Sequence, residues 1–313
     1  MAMRAFNGLG LAADEEVVTE LKLGWFNAAY NVQLADGREV ILKLAPPPGA
    51  EVMLYEKNIM ATEVATMRLV HQNPAIPVPE IYFYDDAHDI CDADYFFMEK
   101  VYGDNLEHVK ASLPAETQAA IDFHIGGIIR EINGFPGTYF GYHGNPDLRG
   151  ESWKETYLKI VDSVLEDAAR KNVEFDFSYD ELRAVIQKHA PVLEEITTSC
   201  LVHWDAWNPN FFVQDGRITG IVDFERALWA EPLMEAQFRQ LFDNGDSGGI
   251  SNSLRGYGKR YFTFTEEQRN HLYSLHLGLV MHVECFFRNY DTDDIFNFSR
   301  QYIGLTMEWL LTN

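Results

Sequence analysis

The sequence predicts an α+β chain of two lobes, an antiparallel β-sheet lobe with one helix followed by a mainly helical lobe. Three observations predict it. Residues 15–45 hold three runs of β-type residues, the last two joined by an Asp-Gly turn at Asp36-Gly37. Two more such runs, Glu80–Asp85 and Tyr95–Lys100, follow a single helical stretch. After Gly103 the apolar residues recur mostly at helical spacing, interrupted by one hairpin pattern between Leu201 and Glu225. The lobes so drawn are residues 1–102 and 103–313.

In the first lobe, Glu15–Lys22 reads as a strand, and Gly24-Trp25-Phe26-Asn27 leads into a second, Ala28–Leu34. The third, Glu39–Leu44, places Lys43 between Leu42 and Leu44. A buried ammonium without a partner is costly, so this lysine must reach an acid or the solvent. Pro46-Pro47-Pro48-Gly49 ends the strand, since proline cannot donate to a ladder. Residues 51–72 read as a helix whose stripe includes Val52, Tyr55, Ile59, Met60, Glu63, Met67 and Val70. Glu63, an acid among apolar neighbours, is the expected partner of Lys43, and Glu56 is its competitor. Pro74, Pro77 and Pro79 close the segment before the last two strands.

The second lobe reads as helices at Glu116–Ile132, Ser152–Lys171, Tyr179–Ile196, Leu233–Phe242, Glu266–Tyr290 and Asp294–Leu311. Asn133-Gly134 is a C-cap signal for the first of them. Phe135–Gly150 reads as a connector, and Asp243–Ser253, rich in Gly, Asn and Ser, as a mobile loop.

At 313 residues the chain is long enough for two sizeable cores. No apolar run reaches the eighteen or so residues of a membrane span. The start, MAMRAFNGLGLAADEE, lacks a long apolar segment, so no secretory signal is expected. Cys91, Cys200 and Cys285 are odd in number and widely spaced, which fits a reducing cytoplasm and buried thiols. The formal charge of −23 opposes nucleic-acid binding, because phosphates demand a basic footprint. It does not by itself mark a cationic substrate, since the acids are spread along the chain.

The polar chemistry concentrates in LVHWDAWNPNFFVQDGRITGIVDFE, from Leu201 to Glu225. Asn210–Gln214 and Arg217–Val222 flank Asp215-Gly216, the strongest short hairpin signal, because a primed turn needs positive φ at both central residues. Counting back from the turn sets Asn210 opposite Ile221, with Asp223 diagonally nearby. An amide and a carboxylate so placed could share a hard cation. Asp205 lies just upstream on the loop entering the same end of the hairpin.

These residues carry a resemblance. His203, Asp205 and Asn210 keep the spacing of the kinase catalytic loop H-R-D-L-x-x-x-N, and Asp223-Phe224-Glu225 stands where D-F-G would. Val40-Ile41-Leu42-Lys43 is similar to the V-A-I-K strand. The chain resembles the aminoglycoside phosphotransferase and choline kinase-like family, small-molecule kinases of protein-kinase-like fold, over roughly residues 20–240. Trp204 departs from that pattern, where Gly is more usual.

The resemblance implies an ATP-dependent phosphotransferase acting on a small-molecule hydroxyl with Mg²⁺, GTP being left open as the donor. It implies that Asp205 orients the attacking hydroxyl while Asn210 and Asp223 hold the metal. Lys43 would bind phosphate oxygens, held in place by Glu63. Gly24 and Asn27 fall in the loop that covers the phosphates. Residues 99–103 would be the hinge between the lobes, where the carbonyl of Glu99 and the N–H of Val101 would meet the base, with Met98 behind it. His203 is read as structural, Glu225 as an assistant at the metal edge, and Glu235 as the brace of the catalytic loop.

Too few residues separate Asp223 from Glu231-Pro232 for a long activation loop, which disfavours a protein kinase. The acceptor is expected in a pocket walled by helices 152–171 and 266–311, with Trp207, Trp229 and Glu231 as candidate contacts or as core and rim residues. A nucleotide-binding scaffold without turnover is the second reading. Retention of Lys43, Asp205, Asn210 and Asp223 together argues against it.

Overall fold

A computed structural model gives the structure and describes residues 1–13, 17–21, 27–238, 250–288, 290 and 292–313. Along the chain the strands are β1 (Val18–Leu21), β2 (Ala28–Gln33), β3 (Glu39–Leu44), β4 (Ile81–Asp85), β5 (Tyr95–Glu99), β6 (Asp104–Asn105), β7 (Phe140–Tyr142), β8 (Arg149–Gly150), β9 (Cys200–Val202), β10 (Phe211–Gln214), β11 (Arg217–Ile221) and β12 (Leu228–Ala230). The α-helices are α1 (Ala2–Ala5), α2 (Ile59–Val70), α3 (Leu106–Val109), α4 (Ala115–Ile132), α5 (Trp153–Arg170), α6 (Tyr179–His189), α7 (Asn252–Tyr257), α8 (Phe264–Glu284) and α9 (Asp294–Thr312). They form two compact units. Met1–Glu51, Met60–Ser112 and Asn208–Glu225 make the first; Val52–Ile59, Leu113–Trp207 and Arg226–Asn313 make the second.

The first unit holds the expected antiparallel five-stranded sheet, in the order β1-β2-β3-β5-β4. Central β3 buries four residues in a row, Val40 to Lys43. Val32, Leu34, Val40, Leu42, Tyr95 and Phe97 form a core cluster, and the N-terminal segment packs on it, Phe6 edge-on to Phe97 at 5.2 Å. Helix α2 buries Ile59, Met60, Met67 and Val70 of the stripe read from the sequence, and Val64 beside them. It starts later than residue 51. Leu54–Glu56 is a separate 3-10 turn, and Asn58 takes a left-handed φ of 52°, which breaks any continuous helix there.

Residues 14–16 and 22–26 lie outside the described residues, and with them Gly24 and the loop between the first two strands. Helices are not all that follows Gly103. Two-residue β6 pairs with β10 and joins the β10–β11 hairpin to the first unit, which therefore runs past the expected boundary near 103 to Ser112 and takes in 208–225.

The second unit is mainly helical but contains a four-stranded sheet, β8-β7-β12-β9. It occupies part of the expected connector Phe135–Gly150, and its strands are too short to show a period in the sequence. Helix α6 stops at His189, and Ala190–Glu195 continues as a 3-10 turn because Pro191 lacks an N–H. Of the helix expected at Leu233–Phe242, the described part, to Phe238, forms two 3-10 turns instead, Pro232–Met234 and Ala236–Phe238; residues 239–242 and most of the expected mobile loop lie outside the described residues. Helices α5 and α8 meet through Trp153 and Tyr157: the Trp153 indole donates to the Tyr273 hydroxyl at 2.7 Å, and the Tyr157 hydroxyl to the Leu272 carbonyl at 2.6 Å. No described helix is long and apolar enough to cross a membrane. The three cysteines are free and half-buried, and burial pushes the Cys200 and Cys285 thiols up.

Candidate active site

In the first unit, strand β3 delivers Lys43 to a cluster of acids. Its Nζ donates to both carboxylate oxygens of Glu63, at 2.7 and 2.9 Å, and to Asp223 Oδ1 at 2.9 Å. Glu63 is fully buried, so the expected pair forms. Glu56 is committed to the Met53 N–H and to Arg288 within the second unit. Burial alone would lower the Lys43 pKa; Asp223, Glu63 and Glu225 outweigh it and hold the ammonium well above its ordinary range. Burial pushes the Glu63 carboxyl up to about 7, Lys43 opposing the rise and Asp223 adding to it.

Glu225 belongs to the same cluster. Carboxylate oxygens of Glu63, Asp223 and Glu225 lie within 4.8 Å of one another. Asn27, at the start of β2, is buried and donates to Glu225 Oε2 at 2.7 Å, while its Oδ1 is buried without a hydrogen-bond partner among the described residues. Several hard oxygens beside an orphaned amide carbonyl suit a hard divalent cation such as Mg²⁺. The sequence shows Asn27 and Glu225 but not their pairing, because 198 positions separate them.

The hairpin turns as expected, with Asp215 at φ 51° and Gly216 at 72°. Its register differs by one residue. A bulge sets Phe211, not Asn210, opposite Ile221, and Val222 donates to the Asn210 carbonyl at 3.0 Å. The extra residue is Thr219, whose hydroxyl donates to the Tyr102 carbonyl at 2.7 Å, a bond that a regular ladder would not aim. Asn210 is buried, and Asp223 leaves the strand at a left-handed φ of 70°.

Glu99 ends β5 opposite Val40, and its N–H donates to the Glu80 carbonyl at 2.9 Å. Val101, two residues on, packs on Gly220, where a Cβ would come within 2.4 Å of Val101 Cγ1. That glycine lets the outgoing strand lie against the hairpin.

In the second unit, β9 leads into the loop of His203, Trp204 and Asp205. Fully buried Glu235 accepts from the backbone N–H of His203 at 2.9 Å and of Trp204 at 3.0 Å, and from Asn133 Nδ2 at 3.0 Å. This is the brace read from the sequence. His203 is completely buried. Trp204 has a φ of 68°, which explains why glycine suits this position; the indole is nonetheless buried against His276 and the Arg226 guanidinium. The Asp205 side chain is 24% exposed, and Arg226 Nε lies 3.8 Å from its Oδ2. Arg226 also donates to Glu284 at 2.6 Å. The sequence reading missed both Arg226 and Glu284; a cation directly after Asp223-Phe224-Glu225 was the available signal.

Of the expected acceptor contacts, Glu231 is a buried brace, bonded by Arg269 Nε at 3.1 Å. Trp229 packs beside Tyr139 and over Gly137, and Trp207 is 40% exposed.

The model of a family described as the phosphotransferase enzyme family matches residues 17–267. A subtelomeric hrmA-associated cluster protein of Aspergillus fumigatus is 31% identical over 151 residues, covering 47% of this chain and 28% of that protein, so the match spans about a quarter of the relative's length. An aminoglycoside 3'-phosphotransferase of Niallia circulans is 24% identical over 245 residues, 77% of this chain and 85% of the relative. Among solved structures, a Haemophilus somnus protein provisionally designated a fructosamine-3-kinase superposes with a TM-score of 0.69 at 14% identity, covering 97% and 94% of the two chains. A thermostable mutant of aminoglycoside phosphotransferase APH(4)-Ia, in ternary complex with ADP and hygromycin B, superposes with a TM-score of 0.66 at 17% identity, covering 98% and 96%. At such identities the structures speak for the fold alone, which is the protein-kinase-like α+β fold expected from the sequence.

Proposed function

Since the chain belongs to the phosphotransferase enzyme family, we propose that it transfers the γ-phosphoryl group of ATP to a hydroxyl of a small molecule. The observation that carries this reading is the Lys43 ammonium held against Glu63 and Asp223 beside Glu225. A purely structural ion pair needs one acid. Three acids around one lysine make a site that can hold a phosphate-binding cation and a metal together.

Phosphoryl transfer asks a protein to position the reactants and neutralise charge rather than to form covalent bonds. In this reading Lys43 binds phosphate oxygens and Glu63 keeps its ammonium aimed. Asp223 and Asn210 hold Mg²⁺, and Glu225, steadied by Asn27, adds a carboxylate at its edge. Bound Mg²⁺ supplies neutralisation of the charge on the phosphates. Glu99 and Val101 offer the backbone carbonyl and N–H for the base, and Asn27 stands where the chain enters β2. Asp205 accepts the hydrogen bond of the acceptor hydroxyl and orients it for attack. The hygromycin B complex and the aminoglycoside 3'-phosphotransferase support an aminated, polyhydroxylated acceptor.

The test is nucleotide consumption with Mg-ATP, and separately Mg-GTP, over a panel of aminoglycosides, amino alcohols and amino sugars, with product mass checked for one added phosphoryl group. Turnover with an acceptor is expected. No acceptor-dependent consumption, together with a melting temperature unmoved by millimolar Mg-ATP, contradicts the proposal.

A further inference from the structure

We propose that Arg226 is a positioning residue that fixes the Asp205 carboxylate, an inference that rests on the role given to Asp205 above. Five contacts within the second unit carry it. Arg226 Nη2 donates to Glu284 Oε1 at 2.6 Å, at the end of α8. Arg226 Nε stands 3.8 Å from Asp205 Oδ2, an ion-pair separation longer than a hydrogen bond. The guanidinium carbon lies 5.4 Å from the Trp204 ring centroid and 5.9 Å from that of Tyr55. The Tyr55 hydroxyl donates to the same Glu284 oxygen at 3.0 Å, which fixes the acid that fixes the arginine.

A structural ion pair would be complete with Glu284 alone, since that acid is 6% exposed and already bonded. Arg226 instead faces a second carboxylate, the one on the catalytic loop. Arginine suits this task because its planar fork serves two acids while its faces stack on rings. A lysine would present one point charge and no plane. The arrangement also gives Trp204 a purpose at a position where its backbone is strained: its indole is one wall of the guanidinium slot. Arg226 holds Asp205 from the side, and the carboxylate keeps the orientation in which it meets an acceptor hydroxyl.

The test compares wild type with Arg226→Ala, Arg226→Lys and Glu284→Gln, using an acceptor verified by product mass. Arg226→Ala is expected to lower kcat about 10²-fold, the order of loss for a misplaced reacting group, with the KM for nucleotide changed little. Added guanidinium at non-denaturing concentration should restore part of that kcat, and Arg226→Lys should not substitute for arginine. Glu284→Gln, nearly isosteric, should lower kcat in the same direction with Arg226 still present, which covers the case in which Arg226→Ala folds poorly. Wild-type kcat in Arg226→Ala overturns the inference and leaves the phosphotransferase reading standing. So does a kcat loss that guanidinium does not relieve and Glu284→Gln does not reproduce. A wild type inactive with every acceptor overturns both.

Discussion

Lys43 is 9% exposed, and what keeps it charged there is the ring of acids around it. The pair has consequences for stability that do not depend on any substrate. Removing one partner of a buried pair leaves the other charge uncompensated, at about 3–5 kcal/mol. Lys43→Met should cost this much in urea denaturation near neutral pH. The pH dependence should change as well. In wild type, Lys43 is raised above its ordinary 10.5, so its contribution is present below that value and lost only as pH climbs through the folded value. In Lys43→Met, Glu63 loses the charge that holds it down, so its folded pKa rises further above the ordinary 4.5. Glu63's contribution to the variant should then be fully present below about pH 4.5 and fall by up to about 1.4 kcal/mol per pH unit as pH rises towards that folded value, a wider window than in wild type, where it ends at about 7. A pH-independent penalty would show that Glu63 is not the stranded charge. Trp204 sets two effects against each other. Its left-handed backbone costs roughly 1–2 kcal/mol, whereas losing a buried indole costs about 3–5 kcal/mol. Trp204→Gly keeps the N–H that bonds Glu235, so it should be destabilised by about 1–4 kcal/mol; an equally stable variant would mean that the strain cancels the packing. The Lys43–Glu63 pair was legible because an acid on an apolar stripe and a lysine in a buried strand each need the other. The Asn27–Glu225 and Arg226–Asp205 pairs were not: Asn27, Glu225 and Asp205 each had a role by resemblance, but Arg226 looks like an ordinary surface group and only the fold brings the partners together.

Elements were legible in proportion to their length. Helices α4, α5, α8 and α9 each repeat their apolar period several times, and their observed ends fall close to the expected ones or, for α8, several residues short of Tyr290. Strands of two or three residues, β6 to β9 and β12, complete too few alternations to register as a pattern. The bulge at Thr219 was equally hidden, because it depends on where the hydroxyl finds the Tyr102 carbonyl. Contact between α4 and α7 is set by two glycines. A Cβ on Gly126 would stand 1.8 Å from the Ser253 carbonyl oxygen, and one on Gly256 1.8 Å from that of Phe123. These are backbone atoms, which cannot swing aside as a side chain would. Gly126→Ala should therefore force the helices apart and lower stability by at least about 1–3 kcal/mol, with α7 amides losing protection from hydrogen exchange. Unchanged exchange across α7 would show that the two helices do not rely on that contact.

For the molecule as a whole, the meander, the single helix and the run of later helices were enough to name the fold class. The assignment of residues to units was less legible, because a two-residue strand ties the 208–225 hairpin to the first unit in a separate three-stranded sheet, β11-β10-β6. The phosphotransferase account assigns one acid to the metal and another to the nucleophile, so the two should fail differently. Asp223→Asn should weaken metal binding, and raised Mg²⁺ should recover part of its activity; a loss indifferent to Mg²⁺ would remove Asp223 from the metal site. Asp205→Asn preserves shape but removes the carboxylate proposed to receive the acceptor's proton. The most direct measurement is kcat of Asp205→Asn with a verified acceptor, alongside the shift in melting temperature produced by Mg-ATP. The account predicts a fall of about 10²–10⁴-fold with the melting shift retained. Near-wild-type turnover would contradict it.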